Sequence, residues 1–204
     1  MFKKIAADAL GLSDIGSVIK PADYDKVDAD DYVMNEDNEK IYFLIKSKAD
    51  EYCFTNLGLI HLDGTSALSK KRTLRRFNYS HHPISNVALE TAGTVDLDVE
   101  IKFTIGAAAY SIDVHKKHIA EVKDLFKSLL KIAEISYDNE TTLQYAKESV
   151  HLASATLNRS VKEGGNIVEQ FKEITESAFF WMVETHKKYK VKDYGHIFER
   201  YINQ

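Results

Sequence analysis

The run VDLDVEIKFTI alternates throughout: Val95, Leu97, Val99, Ile101, Phe103 and Ile105 are apolar, and Asp96, Asp98, Glu100, Lys102 and Thr104 between them are polar. A period of two over this length predicts a long antiparallel strand with one buried and one wet face. Gly106 interrupts the pattern, and Tyr110, Ile112 and Val114 resume it against Ser111, Asp113 and His115, which makes a hairpin. Upstream, KIYFLIKS and YCFTNLGLIHLDG read as strands separated by the polar KADE and closed by the turn pair Asp63-Gly64. SKKRTLRRF and PISNVALETAG supply two more, for about six or seven antiparallel strands between residues 39 and 115.

After His115 the period changes. Ile119, Val122, Leu125, Phe126, Leu129, Leu130 and Ala133 recur at three and four, which predicts an amphipathic helix of about five turns packed on the preceding sheet. The polar SYDNE, Ser136 to Glu140, is expected to end it. Two further helices are expected. The first runs from Thr141 to about Ser160, with Leu143, Ala146, Val150, Ala153 and Leu157 on one face; the second follows Gly164-Gly165, with Asn166 and Glu169 as a capping box. The inner stripe of the second is expected at Ile167, Phe171, Ile174, Ala178 and Met182. Within it AFFWMV is apolar around the whole circumference. A two-helix hairpin cannot bury a full circumference, so part of the surface of Phe179, Phe180 and Trp181 must meet the sheet, the terminal YGHIFERYI or another subunit.

The chain of 204 residues, 44% hydrophobic, is long enough for one substantial core plus a smaller helical module. No apolar run reaches the ~18 residues of a membrane span. The start MFKKIAADALGL reads as a short amphipathic helix, because Asp8 interrupts any signal-peptide core. Cys53, the single cysteine, allows no internal disulfide, and a cytoplasmic location is expected. The formal net charge is -4, unevenly spread. Residues 1 to 64 hold seven lysines against thirteen carboxylates, while residues 65 to 90 hold five basic groups against Glu90 alone. An acidic lobe and a basic strand on one chain can attract each other before any outside ligand is invoked.

The segments DYDKVDADDYVMNEDNEKIYFLIKSKADEYCFTN, DGTSALSKKRTL and ETAGTVDLDVEIKF resemble the bacterial PH-like domain family, and the part from about residue 138 resembles the YvbH-like oligomerisation region carried by some members. The resemblance implies an α+β fold: a PH-like, partly open antiparallel β-barrel capped by a helix at residues 1–137, N-terminal helix included, and an α-helical hairpin at 138–204. It also implies subunits that associate through sheet edges into ring-like homo-oligomers. The phosphoinositide-binding PH pattern of lysines and an arginine around the first hairpin is not matched: Lys40, Lys46 and Lys48 are present without an arginine, and Asp50 and Glu51 follow at once.

Candidate anion-binding residues are Lys70, Lys71, Arg72, Arg75 and Arg76, with Lys46 and Lys48. Strand alternation sends Lys70, Arg72, Leu74 and Arg76 to one side and Lys71, Thr73, Arg75 and Phe77 to the other. Charge on both faces fits a solvated or self-pairing edge strand, whereas an anion site would concentrate it on one. Nucleic acid is the weaker anion, since a chain of pI near 6 lacks the basic footprint. His115 with His118, and His81 with His82, have no further ligand in sequence to complete a metal site. No GxSxG, GxGxxG, P-loop or reactive-cysteine context occurs, and no cofactor is implied. The expected function is a non-catalytic interaction or scaffold protein forming homo-oligomers through Phe179, Phe180 and Trp181, with an unidentified protein partner; the rival is a peripheral protein binding anionic headgroups through the basic strand.

Overall fold

The structure is a computed structural model, and it describes residues 14–64, 72–91, 98–160 and 167–202. The expected N-terminal helix, Lys70, Lys71, the start of the alternating strand at Val95 and the cap at Asn166 lie outside the described residues. The chain divides into two compact units, residues 1–134 with 192–204, and residues 135–191.

The first unit holds two antiparallel sheets, one of order β1-β2-β3-β4-β5 and one of order β6-β7-β8. The strands are β1 (Ser17–Val18), β2 (Ile41–Lys46), β3 (Glu51–Thr55), β4 (Gly58–Gly64), β5 (Arg72–Asn78), β6 (Ile84–Glu90), β7 (Asp98–Ile105) and β8 (Ala108–His115). Gly16 joins the sheets on one side, donating from its N–H to the Asp113 carbonyl at 2.8 Å and accepting from the His115 N–H at 2.9 Å. On the other side β5 and β6 each end a sheet, so the barrel is partly open. Gly106, at φ 58, opens the two-residue turn between β7 and β8.

β7 is buried at every second residue, as its alternation requires, because its outer face is wet. β2, β3 and β4 behave differently: they are apolar on successive residues because both of their faces are covered. Phe43, Phe54 and Leu59 are buried on one face, where the Phe54 ring meets Phe103 of β7 edge-on at 5.9 Å. Leu44, Cys53, Ile60 and Leu62 on the other face form a second core with Ile19, Val27, Ala29 and Val33. Those last residues come from the acidic stretch, which folds as short 3-10 turns at Pro21–Lys26, Asp28–Tyr32 and Asn35–Asp37. Val27, Ala29 and Val33 point inward, whereas Tyr32 and Met34 are exposed. Burial pushes the Cys53 thiol far above its ordinary range, so it stays protonated and inert.

Helix α1 (Ile119–Ser160) buries Val122, Leu125, Leu129 and Ile132. It runs without a break through Ser136–Glu140, contrary to the expected helix end there. SYDNE contains no glycine or proline, and its polar groups suit a helix surface; Thr142 Oγ1 donates to the Asp138 carbonyl at 2.8 Å. Polarity there marks a change of environment, and the compact units divide at 134/135 without a change of backbone. Helix α2 (Ile167–Tyr189) pairs with the second part of α1 in the hairpin unit. Phe171 and Ile174, expected on its inner stripe, are exposed.

After α2 the chain returns to the first unit as α3 (Gly195–Tyr201). The Tyr194 N–H donates to the Asn56 carbonyl at 2.9 Å, and Asn56 Nδ2 donates to Asp193 Oδ2 at 2.7 Å. Phe198, fully buried, stacks on Tyr42 at 5.4 Å. The Tyr42 hydroxyl donates to Glu199 at 2.8 Å, and burial followed by this contact pushes it up to about 12.

On the wet face of the second sheet, Glu100 stands directly opposite Asp113. Burial first, then Glu100 and Asp98, raise the Asp113 carboxyl above its ordinary value. The charged form is therefore disfavoured by folding, and stability is lost as pH rises through the ordinary aspartate range. Asp113→Asn is expected to stabilise the protein at pH 7 by about 0.2–0.5 kcal/mol after solvent screening. Thermal melts at pH 7 and about pH 3 check this; an equal gain at both would refute the electrostatic cause.

Candidate functional site

The basic strand β5 is an edge, and each of its described arginines is held by a carboxylate of the same chain. Arg72 lies 2.9 Å from Asp28 and 3.2 Å from Glu51, Arg76 lies 2.9 Å from Glu39, and Arg75 lies 2.6 Å from Asp63. The alternation of the strand places Arg72 and Arg76 on the face covered by the acidic stretch and Arg75 on the opposite one.

Two of these carboxylates are almost completely buried. Glu51 accepts from Lys46 Nζ, from Arg72 and, at 2.7 Å, from the Ala29 N–H. Glu39 accepts from Thr55 Oγ1 at 2.5 Å, from Arg76, and from the Met34 N–H at 2.8 Å. Each therefore ties an edge arginine and a backbone N–H of the acidic stretch to the middle of the sheet. Lys46 is itself buried in this network and presents no free charge. Lys48 is exposed, and Lys40 is exposed at the other end of β2, about 20 Å away at ~3.3 Å per residue, so the three lysines form no common pocket. Sequence reasoning missed the individual partners Glu39 and Glu51. One signal was available: a four-residue connection between β2 and β3 sets Lys46 opposite Glu51.

Side chains of β3, β4 and β8 form an aromatic cluster that bridges the two sheets. His61 stacks on Tyr52 at 4.5 Å, its Nδ1 lies 3.2 Å from the Tyr110 hydroxyl, and its Nε2 lies 3.5 Å from Asp50. Burial pushes the Tyr110 hydroxyl up to about 12. Among the described residues no three His, Cys, Asp or Glu side chains are grouped to hold a metal ion. His118 Nδ1 lies 3.4 Å from Glu121, and His115 Nδ1 accepts from the Lys117 N–H at 3.1 Å.

In the hairpin unit, Phe179 and Phe180 are 63% and 64% exposed and Trp181 49%. Trp181, Glu184, Thr185, Lys188 and Tyr189 of α2 face Thr142, Tyr145, Ala146 and Ser149 of α1 across an open groove of about 590 Å³. The two phenylalanines touch edge-on at 5.8 Å and do not line that groove. No helix among the described residues is long and apolar enough to cross a membrane.

A two-sheet, partly open barrel with a helix is the architecture of a PH-type domain. A family model described as Bacterial PH domain matches residues 9–133, and one described as YvbH-like oligomerisation region matches residues 144–204. The chain belongs to the bacterial PH domain family. It is 60% identical over 203 residues to "Uncharacterized protein YvbH" of Bacillus subtilis (strain 168), covering 100% of both chains. It is similar to the crystal structure of a PH domain containing bacterial protein from Exiguobacterium sibiricum 255-15, with 52% identity, a TM-score of 0.85, and coverage of 93% of this chain and 100% of that one. The second family match extends across the point where the chain rejoins the sheet unit: residues 192–202 go with the oligomerisation region in sequence and with the barrel in packing.

Proposed function

We propose that this is a non-catalytic interaction or scaffold protein that self-assembles, its hairpin unit supplying a contact between copies. The observation that carries the reading is a deficit of internal burial. Leu143 is the one buried apolar side chain of the hairpin unit among the described residues, while Leu152, Phe171, Phe179 and Phe180 are each more than 60% exposed. Apolar surface of that extent favours association at about 25 cal/mol per Å² removed from water, opposed by the entropy of association. The basic strand supports the same reading because each described arginine already faces a carboxylate: a phosphate would have to displace Asp28, Glu51, Glu39 or Asp63.

Light scattering on the full chain tests the assembly, and a monomer at micromolar concentration would sink it. Cosedimentation with vesicles over a salt series tests the rival. No salt-sensitive binding is expected; binding to anionic but not neutral vesicles, abolished by Arg72→Glu with Arg75→Glu, would replace the scaffold reading by membrane binding.

A further inference from the structure

Residues 193–199 meet the barrel as a ligand meets a receptor, through a short run in which each position makes a different kind of contact. Asp193 accepts from Asn56 through Oδ2 and from the Gly195 N–H through Oδ1, both at 2.7 Å, and the Tyr194 N–H donates to the Asn56 carbonyl at 2.9 Å. Gly195 lies so close to the barrel that a Cβ there would stand 2.8 Å from the Tyr42 hydroxyl and 3.3 Å from Asn56 Cβ. Ile197 and Phe198 are buried, Phe198 against the Tyr42 ring, and Tyr194 meets Tyr79 edge-on at 5.8 Å.

The receptor side is held without help from this segment. Asn56 Oδ1 accepts from the Lys40 N–H at 2.8 Å and the Asn56 N–H donates to the Lys40 carbonyl at 3.2 Å, while the Tyr79 N–H donates to the Leu57 carbonyl at 3.0 Å. The segment itself is not held that way. A seven-residue helix does not persist alone in water, so α3 is helical because it is docked, and residues 190–194 that lead into it have no regular structure. The two sides also belong to different modules: the Bacterial PH domain match ends at residue 133, and the segment falls within the match to the oligomerisation region.

A preformed surface and a segment ordered by it are the parts of a peptide-recognition site. We propose that Tyr42, Asn56 and Tyr79 form such a site, that α3 is its resident ligand, and that α3 detaches without unfolding of the barrel and gives way to a partner peptide of the same chemistry. That chemistry is an acidic residue, an aromatic residue, a glycine and, two and three positions further on, a branched apolar residue and a phenylalanine. Asp193 and Gly195 set register through polar contacts and close approach, and Phe198 supplies the buried anchor. The inference is independent of the self-assembly reading.

The probe is a fluorescein-labelled peptide of residues 191–202, titrated by fluorescence anisotropy against the full-length chain, with folding of each protein checked by circular dichroism. Phe198→Ala in the protein is expected to bind the peptide at least about tenfold more tightly than the wild type, because in the wild type the resident segment leaves the site open in only a fraction of molecules. The same peptide is expected to raise the melting temperature of Phe198→Ala, and a peptide carrying Gly195→Val to lose both effects. Hydrogen exchange of the wild type gives a second measurement that does not depend on the variant: the Ile197, Phe198 and Ile202 amides, all hydrogen-bonded in the docked segment, are expected to exchange at least about tenfold faster than those of β3 and β4. A folded Phe198→Ala that does not take up the peptide overturns the proposal, as does equal binding to both proteins or to both peptides. Amides of α3 that exchange only together with the barrel core overturn it as well, whatever the state of the variant.

Discussion

Replacing Glu51 by alanine will destabilise the protein by about 3–5 kcal/mol, the cost of breaking a buried ion pair from one side. The carboxylate has three partners, Lys46 Nζ, Arg72 and the Ala29 N–H, and Lys46 is buried with it. Without Glu51, an ammonium group is left inside the fold with no counter-charge, and a backbone donor of the acidic stretch loses its acceptor. Denaturant unfolding measures the loss. The companion variant Lys46→Met with Glu51→Leu removes both charges and is expected to recover most of the stability, since an apolar pair of similar volume needs no counter-ion. If Glu51→Ala costs less than about 1 kcal/mol, the network is not holding the acidic stretch to the sheet.

Phe198→Ala is expected to cost a further class of stability of about the same size, 3–5 kcal/mol, by opening a cavity under α3. Phe198 is fully buried, stacks on Tyr42 and lies 6.4 Å from the ring of Tyr79. Ending the chain at residue 191 removes Tyr194, Ile197 and Phe198 together and exposes Tyr42 and Tyr79, so its effect should exceed that of the single substitution. A chain cut at 137 loses the same cover, so its altered behaviour cannot be assigned to the hairpin alone. Phe179→Ser with Phe180→Ser, which touches the hairpin surface only, should leave the melting of the barrel unit unchanged. A truncated chain that melts like the full-length protein would refute the structural role of α3.

Much of the architecture was legible in the pattern of residues because periodicity reports the surroundings of a single element. β7 alternates because one face is wet; α1 repeats at three and four because one stripe is buried; Gly106 marks the turn because positive φ is needed there. The segments of β2 to β4 were read as strands, but their burial on both faces, and what covers the second face, came only with the structure. A solvated or self-pairing strand was one reading of the basic cluster, beside anion binding, and the individual carboxylate partners of its arginines were not legible. Arg76 and Glu39 are 37 residues apart, Arg72 and Glu51 21 apart, and no local spacing connects them.

By itself, then, the sequence determined the antiparallel strands, the change to helix after His115 and the surplus of apolar surface on α2. Only the tertiary structure decided which carboxylates neutralise the basic strand, that Lys46 is buried rather than offered to a ligand, that α1 continues through Ser136–Glu140, and that residues 192–202 return to the barrel. The reason is physical: hydrophobic periodicity is imposed residue by residue by burial, whereas ion pairs and docked termini depend on which distant segments the closed sheet brings within a few ångströms.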